Sequence, residues 1–501
     1  MRMNVISPFV MVIFGATGDL TSSKLMPALY HLLEQGILPE RFFIVGFARR
    51  KLTDLDFREM MKEAVAKTPS VKNIDLNIWD KLSKNLYYQQ GFFEDRSPYD
   101  ALIPLLATFD KEIGACITRF FYMATPPSNY STILNFLDET KLSEGCGQGS
   151  SKWTRVLIEK PFGKDLDQAK QLEEQLAKTF DEKQIYRIDH YLAKETIQNI
   201  LAFRFANQVE SLWNKDYIDY VQITLAESGG IGKRGKFYEG VGALKDTGQN
   251  HLMAMLAYTT MEEPENMTAN EVRKKRIEVL QQIKRTEENR VATDVVRGQY
   301  GALKMGERTV LGYRQERDVA ANSLTETFVA FKLFIDNSRW QGVPFYLRTG
   351  KRLSRSVTRI DIQFKNRESK LFKQFQMENH QSANLITIRV APQEGITMKL
   401  FAKTPGFAYE IRNVDMDFSY RSTFNREIVD SYEKILIDSM TGDQTLFATA
   451  SGFEATWQFI SSITRVWEKQ PPANFPNYEA GSWGPKEAEE LIERDGRKWM
   501  A

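Results

Sequence analysis

The chain has 501 residues, 42% of them hydrophobic and 26% charged, enough apolar material for more than one core and unlike a disordered polymer. Its 67 basic residues nearly balance 65 acidic ones, for a formal charge of +2, which argues against a nucleic-acid binder and leaves any anion to be held by local clusters. Only two cysteines occur, Cys116 and Cys146, with no metal-like spacing, which argues against a disulfide framework and for a reducing, cytoplasmic setting.

Val10 to Phe14 reads as a buried strand rather than the core of a signal peptide, because the apolar run is short and leads straight into a glycine turn. Lys24 to Glu34 has the pattern of a helix, and Phe42 to Phe47 that of a second strand. Strands follow at Arg119 to Met123 and Val156 to Ile158, with a charged helix from Asp167 to Phe180. The polar stretch Ser143 to Lys152 reads as a surface loop. Such alternation predicts a mostly parallel, doubly wound sheet.

Beyond residue 200 the texture changes. Tyr220 to Ala226, Thr327 to Ile335, Arg359 to Lys365 and Leu385 to Val390 read as strands, the last two alternating polar and apolar residues. Helices are expected over Glu271 to Glu288 and Gly452 to Lys469. The prediction is an α/β domain over residues 1–190 and an α+β domain over residues 191–501, the second built on a large, mostly antiparallel sheet. No stretch approaches the roughly 20 apolar residues of a membrane helix, so a soluble protein is expected.

The segment Gly15, Ala16, Thr17, Gly18, Asp19, Leu20 lies between the first strand and the first helix. Glycine lets the backbone come close to a diphosphate, and the helix start offers N–H groups and a positive dipole end, as in Rossmann-type dinucleotide sites. The second strand ends not in the carboxylate expected of an NAD site but in Arg49 and Arg50. A guanidinium grips a 2′-phosphate that a carboxylate would repel, so NADP is the expected cofactor.

Histidine is scarce, with only four in the chain. Asp189, His190, Tyr191 and Lys194 fall within one short segment, and His190 and Lys194 would share a face if it were helical. Imidazole, phenol and ammonium form a donor set suited to a phosphate monoester. A second segment sets Asp246, an acceptor for sugar hydroxyls, five residues before His251, a base suited to proton abstraction near neutral pH. Asp189 is a candidate to stabilise the imidazolium so formed. Lys160, at the end of a predicted strand and before Pro161, points where cofactor and substrate would meet.

These motifs resemble those of glucose-6-phosphate dehydrogenases: Gly15 to Leu20, Glu159-Lys-Pro-Phe-Gly163, Arg187-Ile-Asp-His-Tyr-Leu192, Arg204-Phe-Ala-Asn207, Gln249-Asn-His251, Gly298-Gln-Tyr300, Trp340 to Phe345 and Leu347 to Lys351. The resemblance implies oxidation of the C1 hydroxyl of glucose 6-phosphate to the 6-phosphogluconolactone, with hydride transfer to NADP. It implies His251 as general base, oriented by Asp189, and His190, Tyr191 and Lys194 as phosphate ligands. Lys160 would touch both substrate and cofactor, Glu227 and Asp246 would accept from sugar hydroxyls, and Lys351 and Arg355 would add basic contacts. Thr21 and Arg49 would bind the 2′-phosphate. The resemblance also implies a homodimer or homotetramer associating through the large sheet. The chain departs from the family at Ala193, where glycine is usual, and at Ala391, where some members carry a sugar-contacting glutamine. A second, structural NADP site is not expected.

Overall fold

The computed structural model describes residues 6–145, 154–305, 308–366, 370–372 and 384–500. The chain divides into two compact units. The first comprises Met1–Ala193, Met267–Arg273 and Val429–Ala450; the second comprises Lys194–Asn266, Lys274–Ile428 and Ser451–Ala501.

Six strands form the sheet of the first unit: β1 (Phe9–Phe14), β2 (Phe42–Ala48), β3 (Leu86–Gln90), β4 (Thr118–Met123), β5 (Thr154–Glu159) and β6 (Ile185–Ile188). All pair in parallel, in the order β3-β2-β1-β4-β5-β6. Every residue of β1 and β2 is buried, as parallel strands covered on both faces require. The order reverses between β1 and β4, where sheets of this Rossmann type open a ligand crevice at their carboxyl ends.

The first helix departs from a plain α-helix at its start. Its α-helical part, α1, spans Met26–Glu34, and Thr21–Leu25 ahead of it forms a π-helical turn. The Met26 N–H donates to the Thr21 carbonyl, five residues back, and Pro27 has no N–H with which to continue a tighter α ladder. The charged helix α2 spans Leu166–Thr179, and helix α3 spans Glu195–Phe205. Helix α4 (Ser431–Thr441) belongs to the first unit, where its Glu433 pairs with His31 of α1 at 2.9 Å. Helix α5 spans Ala450–Lys469.

The second unit is built on eight strands: β7 (Ile218–Ala226), β8 (Val295–Gly298), β9 (Phe328–Leu333), β10 (Phe345–Gly350), β11 (Val357–Phe364), β12 (Leu385–Ala391), β13 (Gly395–Lys403) and β14 (Ile411–Ser419). Their order is β14-β13-β12-β11-β7-β10-β9-β8. Every neighbouring pair is antiparallel except β7 with β10, which run parallel with Ala226 opposite Gly350. A second π-helical segment, Leu244–Leu252, leads into the helix Met253–Thr260.

Three expectations change. The helix expected over Glu271 to Glu288 runs over Ala269–Gln281, because the chain beyond it turns extended and Ile283 pairs with Ile335. Of the polar stretch read as a surface loop, Ser143 and Glu144 lie in a short 3-10 turn, with Ser143 buried and its carbonyl accepting from Thr154 at 2.6 Å. The part from Cys146 to Lys152 lies outside the described residues. Cys116 is disulfide-bonded, contrary to the reading of the cysteines as reduced. The other cysteine of the chain, Cys146, falls in that undescribed part. Among the described residues no helix is long and apolar enough to cross a membrane.

Candidate active site

In the first unit the glycine turn joins β1 to the π-helical turn. Gly15 has φ +92°, and a side chain there would place its Cβ 2.3 Å from the Ala124 carbonyl just past β4, so only glycine fits. The turn is closed by Gly18 N–H to Gly15 O (2.9 Å), and the buried Thr21 hydroxyl donates to the same carbonyl at 3.4 Å. Gly15 and Ala16 N–H both donate to Phe47 O, which ties the turn to the end of β2 (2.9 and 3.3 Å). Ala16 is buried, Thr17, Gly18 and Leu20 are half-buried, and Asp19 is exposed. Asp19 and Leu20 ahead of the π-helical turn are already helical and the Ser22 N–H donates to Gly18 O at 3.2 Å, so the helix starts directly from the glycine turn. Arg49 and Arg50 follow β2 directly and are both exposed. The Arg50 guanidinium lies 3.9 Å from the Met60 sulfur, while its carbonyl accepts from Tyr88 at 2.6 Å. A backbone turn that admits no Cβ at Gly15, a helix starting directly from it and two exposed guanidiniums fit a dinucleotide carrying phosphate charge.

The same unit groups Lys160, Asp189, His190 and Tyr191. Lys160 follows β5, and its bond to Pro161 is cis. Asp189 follows β6 and is buried; its carboxylate accepts the Tyr191 N–H at 3.0 Å and its carbonyl the Leu192 N–H at 3.0 Å. These bonds hold 189–193 as turns, so the segment is not helical and the face-sharing argument for His190 and Lys194 does not apply. Helix α3 begins only at Glu195, with Lys194 as its extended N-cap. The His190 ring stacks on Tyr432 of α4 (6.2 Å, 17°) and tilts against Tyr191 (4.9 Å, 49°). Ala193 is buried.

Glu159 links these groups, and sequence reasoning passed over it. Its carboxylate accepts from Tyr122 at 2.7 Å and from Tyr432, and its carbonyl accepts from Tyr130 at 2.9 Å. Burial pushes its carboxyl up to about 7, against the two tyrosine hydrogen bonds and the Lys160 charge, while Asp189 adds to the rise. Glu159 stood inside the quoted Glu-Lys-Pro motif. Tyr432 carries no local signal, because its helix joins this unit from far along the chain.

In the second unit the parallel pairing of β7 with β10 explains a cluster. With Ala226 opposite Gly350, the next residues, Glu227 and Lys351, emerge side by side, and the Lys351 ammonium donates to the Glu227 carboxylate. The same ammonium lies 3.7 Å from the Asp246 carboxylate and 5.9 Å from the Tyr238 ring centre. Asp246 and His251 both sit in the π-helical segment and are both buried. A ladder closing over five residues suits a five-residue spacing better than an α-helix does. Asn250 fixes the segment, its amide donating to Asp246 O (3.0 Å) and its oxygen accepting from His251 N–H (2.6 Å). Gln249 donates to Thr456 of α5 at 2.9 Å.

Lys194, also in the second unit, lies 3.9 Å from Glu394, whose other oxygen accepts from the Thr196 hydroxyl at 3.1 Å. Burial raises the Glu394 carboxyl, with Lys194 pulling it back. Nothing in the sequence marked Glu394, which sits between β12 and β13. Ala391 ends β12. Arg355 is exposed, its guanidinium 5.8 Å from the Trp483 ring.

The family model "Glucose-6-phosphate dehydrogenase, NAD binding domain" matches residues 12–199, and "Glucose-6-phosphate dehydrogenase, C-terminal domain" matches residues 201–500. The chain is similar to the glucose-6-phosphate 1-dehydrogenase of Chlamydia pneumoniae, 45% identical over 494 residues covering 98% of this chain and 96% of the relative. It is 41% identical to glucose-6-phosphate 1-dehydrogenase 2 of Mycobacterium tuberculosis (strain ATCC 25618 / H37Rv), over 99% of this chain and 95% of that one. A solved glucose-6-phosphate dehydrogenase in complex with its substrate glucose-6-phosphate superposes with TM-score 0.89 at 31% identity, covering 100% of both chains. The Mycobacterium avium glucose-6-phosphate 1-dehydrogenase superposes with TM-score 0.82 at 32% identity, covering 99% of this chain and 98% of its own. A parallel sheet with a glycine turn at its reversal point, a large second sheet and matches along nearly the whole chain agree: this protein belongs to the glucose-6-phosphate dehydrogenase family.

Proposed function

We propose that this enzyme oxidises the C1 hydroxyl of β-D-glucose 6-phosphate to 6-phospho-D-glucono-1,5-lactone with NADP as acceptor, the first step of the oxidative pentose phosphate pathway. The observation that carries the reading is the buried π-helical segment that sets Asp246 beside Lys351 and Glu227 and places His251 one π turn further on. His251 removes the C1 hydroxyl proton, and Asp189 is its orienting carboxylate. Asp246 and Glu227 accept from sugar hydroxyls, and Lys351 lies against both carboxylates. His190, Tyr191 and Lys194 bind the phosphate, with Arg355 as a further basic contact. Lys160 serves both substrate and cofactor. The nicotinamide accepts the hydride as the proton leaves. Gly15, Ala16, Thr17, Gly18, Asp19 and Leu20 cradle the diphosphate, and Thr21, Arg49 and Arg50 bind the 2′-phosphate.

Residues 1–190 form the NADP-binding domain and residues 191–501 the substrate-binding and oligomerisation domain in this reading. A homodimer or homotetramer through the large sheet is supported by β14, where Val414 and Met416 are 41% and 60% exposed. A cytoplasmic setting rests on the substrate and cofactor, since the cysteines no longer argue for it.

Initial rates of nicotinamide reduction with glucose 6-phosphate or glucose, each with NADP or NAD, test the proposal. Strong preference for the phosphorylated sugar and for NADP is expected. Comparable turnover of free glucose would overturn the phosphate site, and equal use of NAD would overturn the role of the arginines. Lys194→Ala should raise the KM for glucose 6-phosphate about 10-fold or more, as loss of a hydrogen bond to a charged group does; an unchanged KM would move the phosphate site elsewhere.

A further inference from the structure

The π-helical segment that carries Asp246 and His251 has no cap of its own. Its N-cap residue, Ala243, offers no side-chain hydrogen bond. The bonds that close this end come from the segment ahead of β9. The Glu326 carbonyl accepts the Ala243 N–H at 3.0 Å, and the Glu326 carboxylate accepts the Leu244 N–H at 3.1 Å. Two donors left open at the start of the segment are thus satisfied by one residue. The Thr325 hydroxyl accepts the Gly240 N–H at 3.2 Å alongside.

The fit around the carboxylate is close. Gly242 has φ +72°, and a Cβ there would lie 2.2 Å from a Glu326 carboxylate oxygen, so the glycine makes the room the side chain occupies. The next residue completes a second connection. The Thr327 carbonyl accepts the Lys351 N–H at 2.9 Å, and the Tyr478 hydroxyl bridges the Thr327 hydroxyl (2.8 Å) and the Lys351 carbonyl (2.8 Å). Residues 326 and 327 therefore hold two things at once: the start of the segment bearing Asp246 and His251, and the backbone of Lys351.

We propose that Glu326 is a positioning residue for the oxidation, its carboxylate acting as a remote cap that sets the π-helical segment, and with it Asp246 and His251, against Lys351. The inference rests on the reading of His251 as the base. Glu326 touches neither proposed ligand; it acts through the backbone it caps. The charged and titratable groups facing it are Lys245 on the segment, Arg297 of β8 and the buried Tyr238 phenol, which also feels Asp246 and Glu227. Burial pushes the Glu326 carboxyl up to about 7, with its hydrogen bonds, Lys245 and Arg297 opposing. A group so poorly solvated is held by its hydrogen bonds to the segment.

The test compares Glu326→Ala, Glu326→Asp and Glu326→Gln with the parent enzyme and with His251→Asn, expressing kcat per folded site titrated with NADP. Glu326→Ala is expected to lower kcat about 10- to 100-fold, the size of effect a displaced catalytic group produces, with KM for NADP within about twofold. Glu326→Gln keeps an oxygen for the Leu244 N–H and should recover most of the loss. Glu326→Asp keeps the charge but withdraws the oxygen, so its kcat should fall below that of Glu326→Gln. Turnover per folded site unchanged in Glu326→Ala, or Glu326→Asp equal to or better than Glu326→Gln, overturns the proposal; the second comparison decides if the alanine variant does not fold. If His251→Asn loses turnover while the Glu326 variants do not, this inference alone fails. If His251→Asn keeps its turnover, the base assignment falls and this inference with it.

Discussion

The two π-helical stretches among the described residues differ in what they carry. Thr21–Leu25 is the shorter and follows a backbone turn that admits no Cβ at Gly15, whose carbonyl accepts from the Thr21 hydroxyl. Leu244–Leu252 is longer, and its side chains matter: Asp246, Asn250 and His251, all buried. A site that binds through N–H groups constrains which residues can have a side chain at all. A site that works through side chains constrains their phase around the helix. The first leaves its mark in the sequence as glycines, the second only as a spacing.

Mutations should separate the two. The largest effect is expected for His251→Asn, about 10²- to 10⁴-fold in kcat, the usual contribution of a positioned base, with NADP affinity unchanged. A loss of NADP binding in this variant would blur the division between the turns. Gly15→Ala should do the reverse and weaken NADP binding about 10-fold or more, since a strained backbone position costs about 1–3 kcal/mol and the added Cβ meets the Ala124 carbonyl. NADP titration by fluorescence checks it, and retained affinity would mean the turn has room to move. Arg49→Asp should lower the ratio of kcat/KM for NADP over NAD by about 10-fold, with the backbone cradle intact. An unaltered ratio would place the 2′-phosphate away from the end of β2.

The smallest effect concerns the helix that follows the first turn. The hydrogen bond to Glu433 raises the His31 pKa above 6.5, more than its partial burial lowers it. The stability it contributes is therefore fully present below that unfolded value and is lost as pH rises through the higher folded one. His31→Gln should cost about 1 kcal/mol at pH 6 and less at pH 8, measured as Tm against the parent protein. An equal loss at both pH values would show that the imidazole charge is not what counts.

The parallel sheet was legible because β1 and β2 are apolar along their whole length and a glycine turn follows β1. The large sheet was legible in β11 and β12, where polar and apolar residues alternate. The π-helical geometry was not, although Pro27 marks the point where an α ladder lacks a donor. Glu227 and Lys351 came to notice through family resemblance, and their contact follows from a strand pairing that no local pattern reveals. Tyr432 and Glu394 reach Glu159 and Lys194 from elsewhere in their respective units, and neither has a spacing that marks it. The disulfide at Cys116 escaped for the same reason: it depends on approach in space.

The parallel pairing of β7 with β10 has a consequence for how the chain is made. Glu227 and Lys351 are 124 residues apart, and β11, the other neighbour of β7, lies later still. On a ribosome adding roughly 5–20 residues per second, β7 leaves the tunnel roughly 6–25 s before either partner strand. Throughout that interval Val221, Ile223 and Leu225, all buried in the finished sheet, have no strand on either side. The pairing that joins Glu227 to Lys351 is thus also a step before which an apolar strand of the nascent chain waits unpaired and open to aggregation.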